Sequence, residues 1–298
     1  MSVALSLQDS NFQGARSNRL SGNRLHLNEG PIDLVIGAEG PGEAVAEAYR
    51  RAEACFHGLL PKLVSELSIL RRPIGTSSPK PSGRVARRMV QAVAPYVEMF
   101  ITPMASVAGS VADEILAAMT IEKGLTNAYV NNGGDIAIHI EPGNALTVGL
   151  VPILRGGGIG GSITINSDMR VRGIATSGME GRSFSLGIAD AVTVLSPTAA
   201  VADAASTVIA NMVNVDHAAI SRTPASSLDP DSDLGELPVV IERGPLPDFL
   251  VSEALDAAEQ YAQKLIKTGL IDDAYIACAG QIRVARGKGL QITDKNLI

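Results

Sequence analysis

Asp203 and Thr207 stand four residues apart in the run "AVADAASTVIAN". Helical spacing puts that carboxylate and that hydroxyl one turn apart on the same face. Two hard oxygens aimed at one point suit Mg²⁺, which takes few protein ligands and completes its shell with waters and phosphate oxygens. The same spacing also serves a structural end, with Asp203 capping or pairing nearby and Thr207 bonding back to the Asp203 carbonyl, and taken alone it favours that reading. A second constellation is "YVNNGGDIAIHI", residues 129–140, where Asn-Gly-Gly-Asp joins two β-rich runs. Such a turn is hairpin chemistry, because Gly takes positive φ freely. Alternatively Gly133 and Gly134 let a ligand approach the backbone, with Asp135 at its edge. A third is "GIATSGMEGRSFSLGIAD", residues 173–190, in which Thr176, Ser177, Gly178, Arg182, Ser183 and Asp190 crowd a glycine-punctuated loop. Exposed amides there suit an anion nest, and a self-satisfied polar turn competes with it. His26, His57, His139 and His217 share no short motif, so nothing supports a Ser-His-Asp triad or a zinc site.

The elements that must position these groups follow from periodicity. "IDLVIGA" predicts a strand, and apolar residues at helical spacing predict a helix from Glu43 to about Leu70, broken or kinked at Pro61. Ser82 is expected to cap a helix over roughly residues 83–93, and "PMASVAGSVADEILAAMTIEKG" predicts an alanine-rich helix stopped at Gly124. Between Asn127 and Leu195 short β-branched runs predict an antiparallel sheet or meander. "GGGIGG" fits G-x-G-x-x-G by letter but runs into a strand, where a dinucleotide fingerprint demands a helix. A helix over about 198–213 follows. Residues 221–237, "SRTPASSLDPDSDLGEL", then look like an exposed connector. "PVVIE", a helix over about 251–267 and a last strand "AYIACAGQIRVA" complete the chain. Helices and strands mix without regular βαβ alternation and without an internal repeat, which predicts an α+β fold. The expectation is a single domain over 1–298, with a mobile N-terminal arm to about residue 20 and a mobile tail from about 286.

Composition narrows the function classes. The chain has 298 residues, ample for a sizeable core, with 46% hydrophobic residues but only 3% aromatic and no Trp. Base-stacking platforms are therefore disfavoured, and 25 basic against 31 acidic residues, net −6, is the wrong sign for a nucleic-acid binder. No apolar stretch approaches the ~20 residues of a membrane span or forms a signal segment, so a cytoplasmic location is expected. Cys55 and Cys278 show no metal spacing and read as buried thiols in a reducing compartment.

The order "PMASVAGSVADE", "NNGGDIAI", "ATSG", "ADAAST" resembles the ApbE superfamily, whose best-known members are FAD-dependent protein FMN transferases. It is most similar to the branch of uncharacterised proteins in which a Ser-Leu-Gly-x-Ala-Asp loop accompanies these motifs. The matching segment runs from about Ile101 to Asn211, with weaker likeness around "DLVIGA" and Arg50–Arg51. The resemblance implies an ApbE-like α+β fold, a largely antiparallel sheet with packed helices. It also implies that Asp203 and Thr207, with the Ala105 carbonyl, hold Mg²⁺ or Mn²⁺. Gly133, Gly134, Asp135, Thr176, Ser177, Gly178, Arg182 and Ser183 would line a site for FAD or a related flavin nucleotide. A flavoprotein acceptor is the implied partner. Two departures fall at the chemistry: the transferases' His-x-x-Asp-Pro segment is replaced by "SFSLGIADAVTV", and their Ala-Lys-Gly lysine by Ala108. Asp190 then becomes the candidate acid or base. Two functions stay open, a diverged Mg²⁺-dependent flavinyl transferase and a non-catalytic flavin or nucleotide carrier.

Overall fold

The computed structural model describes residues 14–75, 80–150, 161–181 and 183–287. Nine strands form one sheet in the order β1 (Arg16–Leu20), β2 (Arg24–Glu29), β3 (Ile32–Glu39), β4 (Asn127–Asn132), β5 (Asp135–Ile140), β8 (Gly173–Ser177), β9 (Ala191–Ser196), β12 (Asp273–Cys278) and β13 (Gln281–Arg286). All of its neighbours pair antiparallel, and with the packed helices this makes the fold α+β. A separate hairpin, β6 (Ala145–Leu150) and β7 (Gly161–Asn166), lies over one face of the sheet. There Ile163 and Ile165 pack with Ile138, Ile174 and Leu195.

The opposite face carries the helices. Successive strand residues point to opposite faces, so Val130 and Ala137 join one core while Ala175, Val192, Val194 and Ile276 join another. The first core is closed by α1 (Gly42–Phe56), α2 (Leu59–Ser65), α3 (Leu67–Leu70), α4 (Arg84–Val93) and α5 (Val107–Met119). The second is closed by α6 (Ala199–Met212) and α8 (Asp248–Lys267). Few aromatics are needed because α5 and α6 approach closely: a Cβ at Gly109 would overlap the Ala199 carbonyl.

Several boundaries differ from expectation, each for a local reason. The first helix breaks at Gly58, held at φ 73, and not at Pro61. Pro61 falls in the first turn of α2, where a missing N–H leaves no helical bond unmade. The start of α4 is not capped by Ser82, because the Glu66 carboxylate accepts the Ser82 and Gly83 amides from outside. α5 ends at Met119, ahead of Gly124, after a 3₁₀ turn over Pro103–Ser106. The last strand is a hairpin, β12 and β13, turning at Ala279 and Gly280 with φ of 49 and 78. Part of the expected N-terminal arm is β1, paired with β2. The stretch 221–237 is a folded excursion from β10 (Ile220–Pro224) through α7 (Ala225–Leu228) to β11 (Pro238–Arg243). No described helix is long and apolar enough to cross a membrane.

Candidate functional site

The Asn-Gly-Gly-Asp turn is the two-residue hairpin expected, with Asn132 opposite Asp135 and φ of 68 and 119 at Gly133 and Gly134. Both central residues need positive φ in such a turn, which only Gly meets without strain. A Cβ built on Gly134 meets nothing within 4 Å, so its outer side is open. Asp135 begins β5 on the helix face, two residues before Ala137. Its Oδ1 accepts the Thr176 amide at 3.3 Å, which extends the short β5–β8 ladder by a side chain and brings the Thr-Ser-Gly segment against the turn. Asn132, its cross-strand partner on the same face, donates from Nδ2 to the Ala108 carbonyl at 3.1 Å, at the start of α5.

Asp203 approaches the same place from α6. Its Oδ2 accepts the Gly109 amide at 2.9 Å. Burial first, and the negative charge of Asp135 second, push the Asp203 carboxyl well above the usual range, against the lowering effect of the Gly109 and Ala108 amides. Asp203 therefore caps the first turn of α5, as the structural reading allowed, and also faces a second carboxylate. The cap is reciprocal: Asp113 of α5 accepts the Ala199 and Ala200 amides at 3.0 and 2.9 Å, at the first turn of α6. Neither Asp113 nor the Gly109 amide was singled out from sequence. The signal was there, since Val-Ala-Asp occurs at 111–113 and again at 201–203.

Thr207 lies one turn beyond Asp203 and, like it, is half-buried in a helix whose other faces are closed. Ala105 sits in the 3₁₀ turn, which packs against α6. Thr176 turns its hydroxyl to Thr193 at 2.8 Å. Gly178 is needed for packing, since a Cβ there would overlap the Asp190 carbonyl. Ser183 is exposed, and Arg182 lies outside the described residues. Thus Gly133, Gly134, Asp135, the Thr176 amide and Asp203 are drawn to one end of the sheet, while the Thr176 side chain, next to Ala175 in β8, points to the opposite face with Thr193.

Asp190 is placed differently from the base expected. Its Oδ1 lies 2.7 Å from Arg243 Nη1 and its Oδ2 accepts the Ala279 amide at 2.7 Å. Arg243 also donates to the Ile188 carbonyl and contacts Cys278 Sγ at 3.3 Å. Because β9 runs between β8 and β12, this carboxylate is turned to the β12–β13 hairpin, away from the β5 side where Asp135 sits. It holds a buried corner together. Burial pushes the neighbouring Cys278 thiol up to about 11. Among the described residues no three His, Cys, Asp or Glu side chains form a metal cluster, so a cation here would rely on a carboxylate pair with hydroxyl and carbonyl oxygens.

A family model described as AbpE bacteria matches residues 16–284. A UPF0280 protein of Methanopyrus kandleri is 38% identical over 160 residues, 53% of this chain and 61% of that protein. One of Methanococcus maripaludis is 41% identical over 114 residues, 37% of this chain and 45% of its own length. In both, less than two thirds of the relative is covered. The chain is also similar to the apo flavinyl transferase ApbE of Pseudomonas stutzeri, with TM-score 0.42 and 14% identity over 92% of this chain and 94% of that one. For the ApbE protein of Thermotoga maritima the TM-score is 0.39, with 13% identity over 92% and 97%.

Proposed function

Because this chain belongs to the ApbE family, in the branch described as AbpE bacteria, we propose that it binds a flavin nucleotide or another phosphate-bearing ligand together with Mg²⁺. The observation that carries this reading is the meeting of Asp135 and Asp203. A carboxylate whose proton affinity is raised by burial and then by a second carboxylate, as that of Asp203 is by Asp135, is stabilised in its charged form by a cation between the two. The donor set fits Mg²⁺ or Mn²⁺: Asp203, Thr207 and the Ala105 carbonyl offer only hard oxygen, with Asp135 facing them. When bound, the ion supplies charge neutralisation for phosphate oxygens.

The chain's own residues supply position. The Gly109 amide fixes one oxygen of Asp203, and the Thr176 amide fixes one oxygen of Asp135. The open side of Gly134 would give a planar ligand an approach to the backbone beside the Thr176 amide that Asp135 holds, and on this reading Ser177, Gly178 and Ser183 contribute to the same ligand site. Flavinyl transfer to a flavoprotein is the reaction that family membership suggests. Non-catalytic carriage is favoured by one observation, the engagement of Asp190 by Arg243 and Ala279.

The test uses the full chain with FAD and Mg²⁺, with and without EDTA, read by equilibrium dialysis. Flavoprotein acceptors are then added, and protein-attached FMN and released AMP are measured. FAD retention that requires the metal and is lost in Asp203→Ala supports the site. Failure to retain FAD, FMN or ADP at any Mg²⁺ concentration would sink it.

A further inference from the structure

The excursion between β10 and β11 carries a residue, Asp233, that reaches the 3₁₀ turn bearing Ala105 through Thr102. Asp229, Asp231, Asp233 and Glu236 look like solvated charge in the sequence, yet the segment is built. The Ser226 amide donates to the Gly235 carbonyl at 2.8 Å, the Asp231 amide to Asp229 Oδ1 at 3.0 Å, and the Leu234 amide to Ser232 Oγ at 3.3 Å. So held, Asp233 reaches across 131 residues of sequence and accepts a hydrogen bond from the Thr102 hydroxyl. Thr102 is only 2% exposed. It is the N-cap of the 3₁₀ turn Pro103–Ser106: its Oγ1 also accepts the Met104 amide at 3.2 Å, and its carbonyl accepts the Ala105 amide at 3.1 Å.

The geometry points to Asp233 as a positioning residue for the divalent-cation site, acting through Thr102 on the turn that presents Ala105; this rests on the metal reading proposed above. A hydroxyl has one hydrogen, so giving it to Asp233 leaves the lone pairs of Thr102 free to hold Met104. Bonds to an ionised acceptor are also the stronger kind. Without Asp233 the buried hydroxyl must turn its hydrogen to another acceptor. Its grip on the first turn then loosens, and Ala105 loses its fixed place beside α6. Ser106, whose Oγ lies 3.2 Å from both the Met89 and Pro103 carbonyls and shares its one hydrogen between them, secures the far end of the turn. The near end depends on Thr102 and Asp233.

The experiment measures Mn²⁺ affinity of the full chain by electron paramagnetic resonance, together with the thermal midpoint. Outer partners of metal ligands typically contribute about 10–100-fold in affinity. Asp233→Ala and Thr102→Val are each expected to weaken Mn²⁺ binding about tenfold. Their double variant should be no weaker than either alone, because both break one chain of contacts. Thr102→Ser, which keeps the hydroxyl, should restore affinity whatever it does to the midpoint. Wild-type Mn²⁺ affinity in a folded Asp233→Ala variant would overturn the inference, as would Thr102→Ser behaving like Thr102→Val. A wild-type protein with no Mn²⁺ site sensitive to Asp203→Asn would remove the metal reading itself, and this inference with it.

Discussion

At the scale of single residues, the Asp135–Asp203 pair ties stability to pH. Asp203 has its folded-state pKa raised above the unfolded value, so the folded protein binds the extra proton. That contribution is fully present below the unfolded Asp value, about 3.9. It is lost as pH rises through the raised folded value. Without divalent cation, urea midpoints of the wild type should fall over that window. Asp203→Asn, whose side-chain oxygen still accepts the Gly109 amide, should show a flatter profile. Equal slopes in the two proteins would count against the carboxylate pair. The Asp190–Arg243 pair makes the opposite kind of prediction. Their side chains are 9% and 16% exposed, and removing one partner of a buried pair costs about 3–5 kcal/mol. Asp190→Ala should lower unfolding free energy by about that amount. Mn²⁺ affinity should stay unchanged, and a loss of Mn²⁺ binding at constant stability would return Asp190 to the site. Sequence could name Asp190 but not its partner, since Arg243 is 53 residues away and Ala279 contributes only an amide.

Among elements, the pairing of α5 with α6 positions the site, and it is tight. Each helix lends an aspartate to the other's first turn, and Gly109 lets the Ala199 carbonyl in. Gly109→Ala forces a Cβ into that carbonyl. Overpacking of this kind costs about 1–3 kcal/mol, to be read as a lowered urea midpoint at constant m. Mn²⁺ affinity should fall too, because Asp203 is oriented by the same amide. The strands from β4 to β9 were legible because alternation survives in short β-branched runs. So was α6, with Thr198 accepting the Val201 amide as its cap. The β12–β13 turn was not, because "ACAG" offers one glycine in an apolar run and its second positive-φ residue is Ala279. The 221–237 excursion was misjudged because polar composition cannot distinguish solvated carboxylates from ones that accept buried hydroxyls and amides.

The molecule as a whole decides whether a nucleotide held here would react. Transfer of FMN from FAD to a hydroxyl needs the leaving AMP neutralised and a group to take the hydroxyl proton, and a metal serves mainly the first need. The described contacts of the histidines are with other groups, and none is with Asp135 or Asp203. His26 pairs with Asp33, His57 is exposed at the end of α1, His139 lies 3.7 Å from Glu141, and His217 accepts the Ala219 amide. Asp190 is held by Arg243. General-base assistance is worth about 10²–10⁴-fold. FMN transfer to an acceptor should therefore be slower by about that factor than in a family member carrying the His-x-x-Asp-Pro segment, while metal-dependent retention of FAD persists. Timed mass spectrometry of the acceptor, with AMP quantified in parallel, checks this. Stoichiometric flavinylation within minutes would show that a residue at the site takes the proton after all, and Asp135, the carboxylate that acts most strongly on Asp203, would be the first to substitute.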